Sequence, residues 1–563
     1  MMYSINKDYR KVEKEDINGK VNYYETSSYV FIGPYVNDIE DPCFNCFKEA
    51  VKANGSRYYW CIEQERTELT SFNLFADDDK CTEELRGAVL IFNKNTGSIK
   101  KKEIYKNAFC ENCSSDFFEN KILKDNHNEK LNKEGRVVSF TNVINKLKKH
   151  EKLLIDQDTG IGRMLFRDAE SDVIPMYGIE AYIGQRQYYS YGRAESLSAS
   201  KYSAILEMIE RHASMIPQFT KPLRASYHQL KQKKMDVINP ESFILHKSVE
   251  GEHLYSHDKE IYWTACRRLD NNKEVLIPEQ LIYFDNQIIR GENRFIYETS
   301  NGAALGNSMK EAVMYGLFEV IERDCFLVHW YCKKTPKRID VSSSNNLQIK
   351  LVLKQLDDLG YDVHLFDITL ETDIPAVWVL AVNRKDGANL KYYNAAGAHY
   401  NPEKAIFSGL VEVATSALIY EKKLDKEKSH LNYLIQNPSG VKKMEDHVNY
   451  YSFEENGKAF DFLLNNLEQM ELIEVHKMTP AFPFTYDALK RAVLDKHPDI
   501  YIADLTQYLT EKLDFHTVKI LIPSLQPMTF GLQNERLNLE RLNQYCEDLS
   551  LLKNKEREPH PFP

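Results

Sequence analysis

The segment "GLFEVIERD" (316–324) is the most informative part of the sequence, because a close copy of it, "SAILEMIER" (203–211), occurs earlier in the chain. Each copy contains two glutamates three residues apart, followed directly by an arginine. Residues three apart lie on one face of an α-helix, and nearly all the neighbouring positions are apolar, which is typical of buried helices. The repeat therefore predicts two buried helices that each present a pair of carboxylates.

The repeated carboxylates predict a metal site, formed by Glu207, Glu210, Glu319 and Glu322. Buried carboxylates need cations, and Mg²⁺ prefers oxygen ligands and commonly bridges to the phosphates of a nucleotide. The arginines that follow would contact phosphate or pair with the glutamates. A solvated helix face is the alternative interpretation, and the apolar flanks argue against it.

Each predicted helix follows a segment rich in small residues, "YGRAESLSAS" (191–200) and "TSNGAALGNSMKEA" (299–312). The free N–H groups at a helix N-terminus attract phosphate. Neither segment matches the P-loop or the dinucleotide-binding fingerprint. The sequence therefore predicts a magnesium-nucleotide site that belongs to neither of those classes.

Two C-x-x-C pairs, Cys43 with Cys46 and Cys110 with Cys113, are spaced as in tetrahedral zinc sites with four thiolates. A redox motif or unrelated thiols are the alternatives. The other cysteines lack ligand spacing and are expected to be buried, neutral side chains: Cys61, Cys81, Cys266, Cys325, Cys332 and Cys546.

The composition is that of a globular protein of 563 residues, long enough for two to four structural units. With 73 Lys+Arg against 83 Asp+Glu, the net charge of −10 offers no basic surface for nucleic acid or an anionic membrane. The N-terminal residues lack an apolar signal core, and no run of about 18 apolar residues occurs. We therefore expect a cytoplasmic protein whose cysteines are thiols or metal ligands.

Short strand-like runs in the first part of the chain predict a small α+β unit: "SSYVFIGPYV" (27–36), "SRYYWCIEQE" (56–65) and "GAVLIFN" (87–93), with "NKNTGS" (93–98) as a hairpin turn. The charged stretch 119–136 is expected to be an exposed helix or a linker, and it sets the boundary between units 1–130 and 137–563.

The second unit combines strand-like and helical patterns and is also predicted to be α+β. "YDVHLFDIT" (361–369) and "IPAVWVLAVN" (374–383) indicate strands, and "PEKAIFSGLVEVATSALIYEKK" (402–423) indicates a helix with proline in its first turn. The charge-rich segment 421–458 is expected to be a surface excursion. The sequence ends in "EREPHPFP" (556–563), whose alternating prolines predict a stiff, extended tail.

Taken together, these motifs resemble the YcaO family, specifically its azoline-forming cyclodehydratases of ribosomal peptide natural product pathways. The resemblance covers roughly 137–563 and includes "ILIPSLQP" (520–527) and the terminal P-x-P-x-P. It implies a YcaO-type fold with duplicated glutamate helices behind a small zinc-binding α+β domain. It also implies ATP-dependent cyclodehydration, in which a Cys, Ser or Thr side chain attacks the preceding carbonyl and the amide oxygen is phosphorylated and lost.

The resemblance also implies roles for particular residues. The four glutamates would bind Mg²⁺ and ATP, together with Arg193, Ser196, Arg211, Asn307, Glu311, Arg323 and Lys519. Pro559, Pro561 and Pro563 would form a catalytic tail whose terminal carboxylate positions substrate or moves a proton. The chain departs from the family pattern at Ala194, Ala304 and Lys519, where glycine, serine and arginine are common.

Partners follow from the same resemblance. We expect a precursor peptide substrate, a separate leader-peptide-binding protein, a possible flavin-dependent azoline dehydrogenase and a homodimer. The N-terminal zinc unit would be a remnant of the partner module that is often fused to this family. Thioamide formation, amidine ring closure and a non-catalytic peptide-docking scaffold are the alternative functions.

Overall fold

The structure, a computed structural model, describes residues 10–11, 20–38, 41–65, 70–73, 84–113, 131–132, 135–168, 171–217, 223–245, 255–548, 550–553 and 557–562. Helices and strands intermix throughout these ranges, which confirms the predicted α+β class. Cys81, Pro563 and most of the predicted linker 119–136 lie outside the described residues. The boundary between the predicted units therefore stays a prediction.

The strands are β1 Arg10–Lys11, β2 Lys20–Glu25, β3 Tyr29–Val36, β4 Thr70–Asn73, β5 Ala88–Asn93, β6 Ile99–Glu103, β7 Gly162–Asp168, β8 Met176–Ile183, β9 Arg186–Arg193, β10 Leu223–Ala225, β11 Ile261–Arg268, β12 Glu274–Pro278, β13 Ala303–Gly306, β14 Lys337–Asp340, β15 Tyr361–Asp367, β16 Ala376–Asn383, β17 Tyr392–Ala398, β18 Leu472–Glu474, β19 Tyr501–Asp504 and β20 His516–Leu521.

The helices are α1 Phe44–Ala53, α2 Arg57–Glu65, α3 Phe140–Lys149, α4 Glu151–Leu154, α5 Leu197–Met215, α6 Tyr227–Gln232, α7 Glu279–Ile282, α8 Gln287–Arg290, α9 Met309–Cys332, α10 Leu347–Asp358, α11 Pro402–Glu427, α12 Met444–Tyr450, α13 Asp461–Leu464, α14 Tyr486–Leu494, α15 Tyr508–Lys512, α16 Leu539–Leu542 and α17 Ser550–Lys553.

Four sheets organise the described chain. The first has the order β1-β4-β2-β3-β5-β6, and the second is the antiparallel set β7-β8-β9. The third has the order β10-β11-β19-β20-β13 with β12 paired to β11, and the fourth has the order β17-β16-β15-β14-β18. The hairpin predicted at 93–98 joins β5 to β6, as expected from its turn residues.

The segment 56–65 is wrong as a strand prediction, because it forms helix α2. Its aromatic residues favour β-structure in isolation. Tyr58 and Ile62, four residues apart, are buried in the core of the first sheet, while Trp60 between them is 58% exposed. Burial therefore follows the helical period, and packing overrides the local propensity.

Three strand-helix units form the centre of the chain: β9 with α5, β13 with α9, and β17 with α11. A capping residue precedes each helix, and its side chain accepts a hydrogen bond from a backbone N–H of the first turn. The capping residues of α5, α9 and α11 are Ser196, Ser308 and Asn401. In the first unit a Cβ on Gly192 would lie 1.9 Å from a backbone oxygen of the following helix. Only glycine permits so close a strand-helix contact.

Helix α9 is the most enclosed of the three. It packs against β13 and β20 of one sheet and against β16 and β17 of another. Side chains around its whole circumference are therefore buried, including Leu317 and Phe326. The prediction of a buried helix around the second glutamate pair is confirmed.

The predicted surface excursion over 421–458 holds for its first part, where most side chains up to residue 445 are exposed or half-buried, and is wrong for the second part. Helix α11 continues through its first part, and α12 and the turn after it bring His447, Tyr450 and Tyr451 into the core. Charged residues on both sides of this run, such as Glu445 and Glu454, hid the buried aromatic residues.

The C-terminal region is attached to α9 by an ion pair and a disulfide. Arg541 pairs with Asp324 of α9 and, at 2.7 Å, with Glu371. Cys332 and Cys546 form a disulfide, so the expectation that the cysteines are thiols or metal ligands is wrong for these two. A sequence separation of 214 residues gave no sign of this pairing. Within the described residues, no helix is long and apolar enough to cross a membrane.

Candidate functional site

The first glutamate of each repeated pair has the same hydrogen bonds in both copies. Glu207 accepts the backbone N–H of Tyr191 at 3.0 Å and pairs with Arg211 at 2.7 Å. Glu319 accepts the N–H of Gly302 at 3.0 Å and pairs with Arg323 at 3.1 Å. In both copies one carboxylate oxygen holds the chain before the helix, and the other orients the arginine one turn later.

The second glutamate of each pair reaches the next strand-helix unit. The backbone of Leu305 in β13 acts on Glu210 and lowers its pKa slightly, against the larger rise that burial causes, and Glu322 accepts the N–H of Ala398 at the end of β17, at 2.9 Å. The glutamates therefore connect the first unit to the second and the second to the third. The carboxylates of both helices are near enough to act on one another electrostatically, since the charges of Glu207 and Glu319 both raise the pKa of Glu210.

Burial and mutual repulsion raise the pKa values of these carboxyls. Burial raises the pKa of Glu210 well above its ordinary value, and the charges of Glu319 and Glu207 add to the effect. Burial also raises the pKa of Glu322, to about 8, with further contributions from Glu319 and Glu412 that Arg323 opposes. With all four carboxyls ionised, the glutamates would carry more negative charge than Arg211 and Arg323 neutralise, and a divalent cation would stabilise that ionised state.

Sequence reasoning missed Glu412, which lies on α11 in the third unit and contributes to the raised pKa of Glu322. The signal was present, because "GLVEV" (409–413) repeats "GLFEV" (316–320). The third copy lacks the second glutamate and the arginine, which are replaced by Thr415 and Ser416. It escaped notice because only the complete E-x-x-E-R pattern was sought.

A cavity of about 770 Å³ opens beside the first and third units. Among its lining residues are three predicted nucleotide contacts, Arg193, Ser196 and Glu207, together with Glu412. Aromatic side chains complete part of the wall: Phe140, Tyr191 and Phe407. Arg193 also donates to the Ser416 hydroxyl at 3.2 Å, where the third repeat lacks its own arginine.

The remaining predicted nucleotide residues have different surroundings. Asn307 is half-buried, and its buried Nδ2 has no hydrogen-bond partner within the described residues. Glu311 is fully buried, and its two oxygens accept from Arg136 Nη1 and Val137 N, both at 2.9 Å. Lys519 is also fully buried and donates to the carbonyl of Thr299 at 2.7 Å. Their nucleotide roles stay predictions.

The described part of the C-terminal tail is buried and does not project into solvent. Pro559, Pro561 and Phe562 are all buried, and the ring of Phe562 lies 4.7 Å from the Arg323 guanidinium carbon. The tail therefore reaches the second glutamate pair. Pro563 lies outside the described residues, and its predicted role is not tested.

The four N-terminal cysteines form a tight, buried cluster. Cys43 Sγ lies 4.0 Å from Cys46 Sγ and 3.4 Å from Cys110 Sγ, and Cys46 Sγ lies 3.5 Å from Cys113 Sγ. A tetrahedral ion with Zn–S bonds of about 2.3 Å needs sulfurs about 3.8 Å apart. In the described part of the chain this is the only group of at least three His, Cys, Asp or Glu ligand atoms within 4.8 Å of one another. The cluster can hold a metal ion.

The class that matches this chain is the ATP-dependent cyclodehydratases: a family model described as "YcaO cyclodehydratase, ATP- and Mg²⁺-binding" matches residues 191–526. The chain belongs to the YcaO family, as its motifs predicted. An uncharacterized protein of Methanothermobacter thermautotrophicus is 25% identical over 349 residues, which are 62% of this chain and 83% of that protein.

Two solved structures share the fold. One is a heterocyclase in complex with substrate and cofactor, with a TM-score of 0.67 and 18% identity over 90% of this chain and 73% of that chain. The other is the heterocyclase TruD, with a TM-score of 0.57 and 16% identity over 94% of this chain and 74% of that chain. At these identities the likeness concerns the fold, and it confirms the predicted YcaO-type architecture.

Proposed function

We propose that the chain converts Cys, Ser or Thr residues of a ribosomally made precursor peptide into thiazolines or oxazolines, using ATP. The observation that carries this proposal is the repeated Glu-Glu-Arg arrangement, whose first glutamate, Glu207, lines a large cavity, in a chain of the YcaO family. Both solved structures that share the fold are heterocyclases, which supports a ring-forming reaction of this kind.

The residues at the site fit a magnesium-nucleotide complex. Arg193 Nε, Arg323 Nε and Asn307 Nδ2 are buried donors without a hydrogen-bond partner in the described chain. An unsatisfied buried donor is costly, so these atoms favour a ligand rich in acceptors, such as a chain of phosphates. The charges of Glu319 and Glu412 act on Glu322, and a cation beside these carboxylates would stabilise their ionised forms.

We assign the predicted contacts on this basis. Mg²⁺ would be held by Glu207, Glu210, Glu319 and Glu322. The nucleotide would be held by Arg193, Ser196, Arg211, Asn307, Glu311, Arg323 and Lys519. Glu412 joins the carboxylates, because it lines the same cavity as Glu207.

The reaction forms one bond within the peptide before it breaks another. The side-chain thiol or hydroxyl gives up its proton as its sulfur or oxygen adds to the preceding carbonyl carbon, and the former carbonyl oxygen becomes negatively charged. When bound, Mg-ATP supplies the phosphoryl group that makes this oxygen a good leaving group. Loss of phosphate and of the amide proton leaves a C=N bond, so the peptide loses one water.

The protein's part in this reaction is positioning and charge stabilisation. Arg193 and Arg323 hold and neutralise the transferring phosphoryl group, which is how phosphoryl transfer is generally accelerated. We assign the tail prolines Pro559, Pro561 and Pro563 to substrate positioning or proton movement near this group. A proton acceptor must lie within hydrogen-bond reach of the amide nitrogen.

We further propose that the cluster of Cys43, Cys46, Cys110 and Cys113 binds a structural zinc ion. The sulfur separations of 3.4 to 4.0 Å support it, being close to tetrahedral thiolate geometry. Units 1–130 and 137–563 would then be the zinc domain and the catalytic domain. A separate leader-peptide-binding protein would deliver the substrate, a flavin-dependent dehydrogenase would be a further partner, and the enzyme would be a homodimer.

The decisive experiment is intact-peptide mass spectrometry on a precursor peptide encoded nearby, with ATP, Mg²⁺ and a neighbouring partner protein. We expect loss of one water per modified residue, dependent on ATP and absent with Glu322→Gln. Glu427→Gln, an exposed change of the same kind at the end of α11, should behave as wild type.

The other outcomes distinguish the alternatives. An unchanged peptide mass with a partner of proven competence would contradict cyclodehydration and favour a docking scaffold. Exchange of oxygen for sulfur in the presence of sulfide would instead indicate thioamide formation. In parallel, Glu207→Gln and Glu322→Gln should each weaken Mg-ATP binding by about 100-fold or more, since even indirect disruption of a metal site costs 10- to 100-fold.

A further inference from the structure

Three successive carbonyl groups of the tail, at 558–560, each accept a hydrogen bond from a different buried side chain. The donors are Trp330 Nε1 at 3.4 Å, Tyr451 Oη at 2.7 Å and His447 Nδ1 at 2.6 Å, in the order of the carbonyls. Proline has no N–H, so carbonyl oxygens are the main backbone groups by which such a tail can be held. The three donors form a ladder that fixes the tail along its length.

His447 is itself held in one tautomer. Its Nδ1 donates to the carbonyl of His560, and its Nε2 accepts the backbone N–H of Gly531 at 2.9 Å. Only the neutral ring with its proton on Nδ1 satisfies both contacts. The ring of His560 stacks on it at 4.2 Å between centroids and donates from Nε2 to the carbonyl of Thr529 at 2.7 Å. The single ring N–H of His447 is therefore used for its hydrogen bond to the tail.

The far end of the described tail contacts the nucleotide site. Phe562 packs edge-on against Phe326, with centroids 5.1 Å apart, and its own ring lies beneath the guanidinium of Arg323. Arg323 pairs with Glu319 on its other side, and its Nε keeps no partner within the described chain. The guanidinium is thus held by a carboxylate and by an aromatic face, while one N–H remains for a ligand.

The two repeated arginines differ in this respect. The side chain of Arg211 is 39% exposed and that of Arg323 is 18% exposed, although each pairs with the glutamate one turn earlier. The tail is the element that covers the second arginine. Its contribution is therefore specific to the second copy of the motif.

We propose that Trp330, Tyr451 and His447 are positioning residues that hold the tail so that Phe562 sets the orientation of Arg323 toward the nucleotide. They act through the tail, since none of the three hydrogen-bonds the Glu319–Arg323 pair. The inference rests on the proposed function only in taking Arg323 as a nucleotide contact. It gives the buried tail a role in ATP binding in addition to the proposed role of the tail prolines in the reaction.

A double-mutant cycle on the full chain tests the link between Phe562 and Arg323, with Mg-ATP binding followed by calorimetry. Phe562→Leu keeps an apolar side chain but removes the aromatic face, and should weaken binding by about five- to tenfold. Phe562→Tyr retains the face and should bind within about twofold of wild type. In an Arg323→Gln background, Phe562→Leu should have almost no further effect, because residues that act as one unit are not additive.

The outcomes separate the two proposals. If Arg323→Gln binds Mg-ATP as tightly as wild type, the nucleotide role of Arg323 is wrong. If Arg323→Gln weakens binding but Phe562→Leu does not, the nucleotide role stands and the positioning role of Phe562 is overturned. Additive effects in the double variant would also overturn it, since Phe562 would then act independently of Arg323.

The ladder is tested by conservative changes that preserve packing. Tyr451→Phe removes one donor, and His447→Leu removes another; each should weaken Mg-ATP binding about two- to fivefold, the scale of one hydrogen bond. Neither should add to the effect of Phe562→Leu. His447→Asn keeps an N–H near the Nδ1 position and should restore most of the affinity. An unchanged affinity for both Tyr451→Phe and His447→Leu, or equal losses for His447→Asn and His447→Leu, would contradict the ladder.

Discussion

The molecule has two candidate metal sites, and they are built on opposite principles. In the N-terminal unit, four thiols lie within 4.8 Å of one another, so their ligand atoms already surround one position. In the central units, a carboxylate oxygen of Glu319 and one of Glu322 each accept a backbone N–H, so these two oxygens are already hydrogen-bonded within the protein. Structural zinc sites are closed by four protein ligands, whereas catalytic sites leave positions open. On the proposed function, this difference predicts that the thiols contribute to stability and the carboxylates to catalysis.

The largest expected effect is the loss of the thiol site. Changing Cys43 and Cys110 to serine together leaves two thiols, one from each C-x-x-C pair, and these cannot close a tetrahedral site. Because structural zinc contributes folding free energy directly, we expect the purified protein to lose its zinc and the N-terminal unit to unfold. Metal analysis and limited proteolysis of the full chain measure both effects.

The comparison predicts that this damage stays local. Mg-ATP binding by the double serine variant should remain within about threefold of wild type, because additivity holds for distant sites. Cys61→Ser, a change in the same unit outside the cluster, should retain full zinc content. Zinc that persists in the double variant would show that the four cysteines are not its ligands.

Sequence was sufficient for the features that depend on local spacing or repetition. The C-x-x-C pairs, the glutamate helices and the strands at 361–369 and 374–383 all follow from residues near one another in the chain. It failed where distant packing decides the structure. Helix α2 is set by the sheet beneath it, and the Cys332–Cys546 disulfide joins residues 214 positions apart.

The candidate site was predictable to the same degree. The four glutamates were found because their motif is repeated in full. Glu412 was missed because its copy retains only one glutamate, and His447 and Tyr451 were missed because their segment was judged by its charge. No local pattern indicates that a side chain in the segment 421–458 binds the tail about a hundred residues later.

The carboxylate site should show a coupling between pH and Mg²⁺, which is a smaller effect. Burial raises the pKa of Glu322 from 4.5 to about 8, so the folded protein binds this proton more tightly than the unfolded chain. The free energy of unfolding should therefore fall as pH rises from about 5 to 8, by about 1.4 kcal/mol for each pKa unit before solvent screening is allowed for. Chemical denaturation across that range, without and with Mg²⁺, measures it.

Two controls tie this pH dependence to the site. Mg²⁺ binds the ionised carboxylates, so adding it should reduce the fall in stability between pH 5 and 8. Glu322→Gln cannot ionise and should lose its share of the fall, whereas Glu427→Gln should keep the wild-type profile. A pH dependence that is identical in wild type and Glu322→Gln, with and without Mg²⁺, would mean that Glu322 does not hold the proton in question.

The smallest expected effect concerns the incomplete third copy of the motif. Glu412 lines the cavity and raises the pKa of Glu322, but its unit lacks a second glutamate and an arginine. We therefore expect Glu412→Gln to weaken Mg-ATP binding by about tenfold, less than Glu322→Gln, and to lower the pKa of Glu322 by removing a neighbouring negative charge. The fall in stability with rising pH should therefore occur at lower pH.

If Glu412 only supports the metal site, the weaker Mg-ATP binding and the shifted pH profile should occur together. If Mg-ATP affinity falls as far as in Glu322→Gln, Glu412 is a full member of the metal site and the third copy is functionally complete. If neither affinity nor profile changes while Glu427→Gln also behaves as wild type, the third copy is structural and the site belongs to the first two alone.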